Sequence, residues 1–330
     1  MELIENEYLL SRTLVSVVIP SYNRKDSVGI AIASILNQRC NFNFEIIIGD
    51  DCSTDNAKEV LLDYQKKYPE KIILLFHDEN IGLGANWATC VMHCRGKYIA
   101  NCDNDDYWHN PDKLQLQVDF LEANLEYGVC HTNYRNHNRE TGTITEVIVS
   151  TDTFDVSLQE AIFTGKFRCC NATMMYRKEL IDKYLNLDDF IQHQFTLQDW
   201  NTWIILAKYT RFYCLPVSTA TFGIETESIT RPKEYDKVIQ RFKKEKECYK
   251  YVCDIFPEDL PFEEQVYDAY VHHVLLGLAY KKLDFPSARK YGSRLSAVGN
   301  TNLKVKCSAT IFSFYSYCLA LKFKAAFQKY

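Results

Sequence analysis

ANCDNDDYW, residues 100–108, puts Asp103, Asp105 and Asp106 within four positions, directly after an apolar run and just before two aromatic residues. Like charges this close raise one another's pKa, so the segment needs a cation beside it if all three are to stay ionised. Its setting decides the fold. KYIANC (97–102) reads as a short buried strand, the fourth of a series after VSVVI (15–19), FEIIIG (44–49) and IILLF (72–76). Residues 26–38, 54–67 and 82–94 between them read as helices, the second capped by Ser53 or Thr54. Residues 112–123 read as a further helix, and YGVCHTNY (127–134) as a strand. Strands alternating with helices predict an α/β domain with a mainly parallel sheet flanked by helices. Ligands of such sheets sit outside the carboxyl ends of the strands. Three predicted strand ends carry polar groups: Pro20, Ser21, Tyr22, Asn23 and Arg24; then Asp50, Asp51 and Ser53; then the three aspartates. A parallel sheet opens all three onto one edge.

The chain beyond residue 135 is less regular. TGTITEVIVS (141–150) alternates like an exposed strand, NATMMYR (171–177) and 211–222 read as extended, and 197–209 reads as a helix with Trp200, Trp203, Ile204 and Ala207 inward. From about 234 onward the pattern is helical, at roughly 234–253, 262–282, 286–297 and 304–328. The 330 residues are 47% apolar and 25% charged, which suits a globular chain with a sizeable core. The first residues show no secretory signal pattern, and no stretch reaches the roughly 18 apolar residues of a membrane span. A cytoplasmic location is therefore expected, with the 13 cysteines as reduced, mostly buried thiols. From Phe285 to Tyr330 there are eight Lys or Arg and no acid, so the rest of the chain carries the negative balance and is not expected to bind nucleic acid.

IPSYNRKDSVGIAIASILNQ, FEIIIGDDCSTDNAKEV and NIGLGANWATCVMHCRGKYIANCDNDDYW, in that order and spacing, closely resemble the family 2 glycosyltransferases. The likeness continues through PDKLQLQVDFLEAN to about residue 230. It implies a GT-A nucleotide-diphospho-sugar transferase fold over 1–230, with a nucleotide-binding half (1–110) and an acceptor-side half (111–230). Residues 231–330 are then an α-helical C-terminal extension. The resemblance implies an inverting, metal-dependent enzyme that moves a sugar from a nucleotide-diphosphate donor, a UDP-sugar in preference, to a hydroxyl of a glycan or lipid-linked glycan. It also implies a place in bacterial surface polysaccharide or glycan biosynthesis.

Residue by residue, the match makes Asp105 the main ligand of Mn²⁺ or Mg²⁺. Asp103 then contacts the ribose or the metal shell, and Asp106 braces the loop or helps orient the acceptor. Asp51 accepts from the uracil N3–H, with Pro20, Tyr22 and Asn23 around the base. Arg24 either reaches the diphosphate or lies on the surface, and Asn86 is a candidate at the donor sugar. Asp199 matches the base that takes the acceptor proton. Each has an ordinary alternative: helix caps or a solvated turn for the aspartates, a core ring for Tyr22, a helix start for GLGAN (82–86). Two departures stand out. The acidic pair before the catalytic helix is Gln198-Asp199, and the Tyr-Arg-x-His stretch is Phe222-Gly223-Ile224-Glu225, which leaves Glu225 as a speculative metal ligand. Trp200 and Trp203 read as core before acceptor pocket, and Cys90, His93, Cys94, Cys169 and Cys170 as thiols and a histidine without zinc spacing. The aromatic, lysine-flanked segment 309–327 is either a packed helix or one that lies on an anionic membrane surface at the inner face of the cell membrane. Two other functions compete: a nucleotidyltransferase, which would want a glycine-rich basic loop where PSYNRKD stands, and an inactive family member that serves as a binding subunit.

Overall fold

Apolar runs that do not alternate with polar residues need cover on both faces, and Val17, Val18, Ile19, Ile46, Ile47 and Ile48 are all wholly buried. The computed structural model describes residues 1–5, 12–149, 157–163, 165–167, 169–224, 233–260, 262–300, 302–308 and 310. In chain order the first half contains β1 (Glu2–Ile4), β2 (Thr13–Ser21), α1 (Lys25–Leu36), β3 (Asn43–Asp50), α2 (Ala57–Lys67), β4 (Ile72–Phe76), α3 (Leu83–Met92), β5 (Tyr98–Asn101), β6 (Tyr107–Trp108) and α4 (Lys113–Ala123). Then follow β7 (Tyr127–Asn138), β8 (Thr143–Val147), α5 (Leu158–Phe163), a 3₁₀ turn at Asn171–Thr173, β9 (Met175–Arg177), α6 (Lys178–Tyr184), α7 (Leu187–His193), α8 (Gln198–Leu206) and β10 (Arg211–Ile224). The helices α9 (Tyr235–Ile255), α10 (Glu264–Lys282), α11 (Phe285–Ala297) and α12 (Leu303–Cys307) complete the order.

One sheet has the order β1-β4-β3-β2-β5-β9-β7-β10-β6, with β8 paired to β7. The run β4-β3-β2-β5 is parallel throughout, joined by α1, α2 and α3. β7 and β10 are also parallel to each other, and short β9 links the two groups by antiparallel pairs on both sides. The sheet is thus mixed, with a parallel centre. The β7–β10 register shifts between Leu215 and Ala220, next to Pro216, which has no N–H to give to the ladder.

The chain divides into two compact units, Met1–Thr226 and Glu227–Tyr330. The first has a core of sheet and flanking-helix residues such as Ile19, Ile32, Ile46, Leu61, Leu74 and Leu114. The second is helical around a core of its own that includes Phe242, Leu276, Ala279, Ala288 and Leu295. Its α11 opens on Asp284, whose carboxylate accepts from the Ser287 N–H at 3.1 Å.

Three boundaries differ from the sequence reading. The helix expected from 54 starts at Ala57, because Ser53, Thr54 and Asp55 are hydrogen-bonded into the preceding loops. The extended stretch 171–177 begins as a 3₁₀ turn. Of the helix expected at 304–328, α12 is the described part and the rest lies outside the described residues. Among the described residues no helix is long and apolar enough to cross a membrane, and every cysteine is a free thiol.

Candidate active site

The three polar strand ends do meet, because β3, β2 and β5 are adjacent and parallel. After β2, Pro20 and Ser21 are buried, whereas the ring of Tyr22 is 43% exposed, so it is a surface ring and not core. Asn23 takes a left-handed backbone (φ 50°), which Asn tolerates better than most residues. Its Oδ1 accepts from the Thr54 N–H at 2.8 Å, and its own N–H donates to Ser53 Oγ at 2.9 Å. Asn23 therefore laces the loop after β2 to the loop after β3.

The two aspartates at the end of β3 divide the work. Asp50 accepts from both the N–H and the hydroxyl of Ser53, at 3.0 and 2.6 Å, and so shapes its own turn. Asp51 reaches across to the segment before α3, accepting from the Ile81 and Gly82 N–H groups at 2.7 and 3.0 Å. Burial pushes its pKa up against the pull of those two hydrogen bonds. Asn86 is turned inward: it donates to the Gly49 carbonyl at 2.8 Å and contacts His77 Nε2 at 3.1 Å. A β-carbon at Gly49 would lie 2.0 Å from Asn86 Oδ1. The structure therefore brings Asn86 against the back of β3 and not to the opening expected for a donor-sugar contact.

In the acidic loop each carboxylate has a different setting. Asp103 is partly buried and accepts from Asn171 Nδ2 at 3.2 and 3.3 Å. Burial, then the charges of Asp105 and Asp199, push its pKa up to about 7. Asp105 Oδ2 lies 3.3 Å from Arg24 Nη2, and the Asp105 main-chain carbonyl accepts from Arg139 Nη2. Asp106 is 1% exposed. Its Oδ1 accepts from the Gly223 N–H at 2.9 Å and its Oδ2 lies 3.7 Å from Cys170 Sγ, so it braces the loop against β10 from inside. Burial first, then Asp103 and Asp105, hold its carboxyl well above the usual range.

Asp199 stands in the first turn of α8 and accepts from the Trp200 N–H at 2.7 Å. The Tyr176 hydroxyl links this helix to the strand that leads into the acidic loop: it accepts from Asn101 Nδ2 at the end of β5 at 3.4 Å and from Trp203 of α8. Trp203 is buried and donates to the Tyr176 hydroxyl at 2.8 Å, and Trp200 donates to the Ile162 carbonyl at 3.2 Å; both serve as packing residues. Glu225 lies outside the described residues.

Residues that sequence reading passed over are Asn171 and Arg139. Asn171 and Asp103 are 68 positions apart, and no spacing pattern links them.

A divalent cation fits this donor set. Mg²⁺ and Mn²⁺ take one or two carboxylates and fill the remaining positions with substrate phosphates and water, and Asp103 with Asp105 is such a pair. Among the described residues no group of three or more His, Cys, Asp or Glu forms a protein-only cage. The site's demand for positive charge is visible in Arg24, whose guanidinium already stands at Asp105.

Comparison with known proteins gives a consistent picture. The model of glycosyl transferase family 2 matches residues 16–185, just over half of the chain. Curated relatives include TuaG of Bacillus subtilis (strain 168), whose name proposes a teichuronic acid biosynthesis glycosyltransferase. It is 37% identical over 110 residues, 33% of this chain and 42% of its own length. Chondroitin synthase of Escherichia coli is 34% identical over 139 residues, 42% of this chain and 20% of that protein. The chain thus spans less than half of the length of these relatives. Among solved structures, S. aureus TarS 1-349 in complex with UDP-GlcNAc has a TM-score of 0.52 at 15% identity, covering 86% of this chain and 82% of that one. The mannosyltransferase PcManGT from Pyrobaculum calidifontis, in complex with GDP-Man and Mn²⁺, has a TM-score of 0.50 at 16% identity, covering 97% and 81%. These likenesses establish the GT-A-like fold. With the family model spanning most of the sheet and its acidic loop, the chain belongs to glycosyl transferase family 2.

Proposed function

We propose that the protein is an inverting, metal-dependent glycosyltransferase that moves a sugar from a nucleotide-diphosphate donor, a UDP-sugar in preference, to a hydroxyl of a glycan or lipid-linked glycan. The observation that carries this reading is the meeting of the strand ends that bear Asp51 and Asp103 to Asp106 on one sheet edge of a family 2 chain, with α8, which bears Asp199, bonded through Trp203 and Tyr176 to Asn101 at the end of β5. Asp51, with Tyr22 and Asn23 at the neighbouring strand end, receives the base. Mn²⁺ or Mg²⁺, held by Asp105 and Asp103, would supply charge stabilisation for the departing diphosphate. Asp199 takes the proton of the acceptor hydroxyl as that oxygen attacks the anomeric carbon, and the bond to the diphosphate breaks on the opposite face. One displacement inverts the centre and leaves no sugar on the enzyme. Arg24, whose guanidinium stands 3.3 Å from Asp105, would pair with the diphosphate there.

The names of the relatives, teichuronic acid biosynthesis and chondroitin synthase, support an acceptor that is itself a growing polysaccharide. For a lipid-linked acceptor the proposal extends to residues 301–330 lying on an anionic membrane surface at the inner face of the cell membrane, and loss of liposome flotation on their removal tests that part. The central test is a thermal-shift screen with UDP- and GDP-sugars and Mn²⁺, since a ligand of the native state raises its stability. The expected result is a rise with one donor, lost in Asp105→Ala, and slow release of the nucleoside diphosphate. Pyrophosphate release instead identifies a nucleotidyltransferase. Binding with no release of either, in the presence of candidate acceptors, identifies a binding subunit.

A further inference from the structure

A second guanidinium reaches the acidic loop from an element outside the strand ends described above. Arg139 follows β7 directly. Its N–H donates to the Ile224 carbonyl at 3.1 Å, which extends the β7–β10 pairing past its last strand residue. Its Nη2 donates to the main-chain carbonyl of Asp105. Gly223 leaves the room for it. A β-carbon at 223 would lie 3.0 Å from both Nε and Nη2 of Arg139, and 2.5 Å from the Asp105 carbonyl oxygen. The volume beside position 223 is thus taken by a side chain from the neighbouring strand. Arg24 approaches the same aspartate at its carboxylate, so two arginines from separate elements meet at Asp105.

We infer that Arg139 is a diphosphate-binding residue of this enzyme, positioned by its bond to the Asp105 carbonyl and by the missing side chain at Gly223. The inference rests on the donor reading above. A guanidinium presents five N–H donors in a planar fork that matches phosphate oxygens, and one bond to a carbonyl fixes the plane of that fork. A diphosphate whose cation would be held at the Asp105 carboxylate would lie within a residue's width of it. In this chain the positive charge that a side chain at 223 cannot supply comes from the adjacent strand.

The test is isothermal titration of the full chain with UDP and GDP in the presence of Mn²⁺, each beside its nucleoside, uridine or guanosine. For whichever diphosphate binds the wild type, Arg139→Gln is expected to weaken it roughly tenfold or more, the scale of one charge-assisted hydrogen bond, with nucleoside affinity unchanged. Arg139→Lys should recover part of the loss. Equal affinity of Arg139→Gln and wild type for the diphosphate overturns the inference and leaves the donor reading standing. So does a parallel loss for diphosphate and nucleoside, which is the mark of a purely structural residue. If the wild type binds neither diphosphate, the donor reading falls and this inference with it.

Discussion

Asp106 and Asp199 carry the same side chain in opposite circumstances. Asp106 is sealed behind the loop and satisfied by Gly223 and Cys170, whereas Asp199 stands part-exposed at the start of α8, bonded to the Trp200 N–H. Asp106→Ala should therefore act on stability. It leaves the buried Gly223 N–H without its acceptor, which costs about 1–3 kcal/mol, measurable as a lower urea midpoint. Asp199→Asn should act on rate. The amide oxygen can still accept from Trp200, but the group no longer takes a proton, so donor affinity should hold while turnover falls by about 10²- to 10⁴-fold. Wild-type turnover in Asp199→Asn would remove it from the base role. Both aspartates were visible in the sequence as candidates. Their division of labour was not, because Asp106 and Gly223 are 117 positions apart.

At the scale of elements, the two ends of the parallel sheet have different duties. The carboxyl ends carry the candidate site, and the amino ends carry an ionic brace between buried Glu45 and half-exposed Arg95. Glu45 in β3 is 1% exposed and accepts from Ser16 Oγ of β2 at 2.6 Å and from the N–H and Nε of Arg95 at 2.9 and 2.8 Å. These bonds pin the α3–β5 turn to both strands. Glu45→Ala removes these bonds and should cost about 1–3 kcal/mol; an unchanged unfolding midpoint would show the brace to be dispensable. The strands themselves were legible because doubly covered strands are uniformly apolar. Two kinds of element were not. β6 is two residues long and exists only through its pairing with Ala220 and Thr221. The start of α2 is delayed because Ser53, Thr54 and Asp55 find partners in neighbouring loops, a competition that helix patterning does not register.

For the molecule as a whole, stability should depend on pH through a histidine to which the proposed chemistry assigns no role. His131 on β7 is wholly buried, edge-on to Phe167, and burial pushes its pKa from 6.5 down to about 4. Above pH 6.5 it is neutral folded or unfolded, and its contribution is fully present. Between 6.5 and 4 the unfolded chain takes the proton first, so stability falls by up to roughly 1.4 kcal/mol per pH unit. His131→Leu should flatten urea midpoints over that window; identical slopes in the two proteins would refute the assignment. The sequence alone determined the alternation of buried strands and helices, and with it the meeting of three polar strand ends on one edge, since periodicity and burial are local properties of the chain. Only the tertiary structure decided which polar groups face the opening. Asp51 is clasped by a segment 30 residues on, Asn86 is turned into the core, and Asp105 is met by arginines from two separate elements. Those outcomes depend on which distant backbone groups packing brings within hydrogen-bond reach, and no local pattern encodes that.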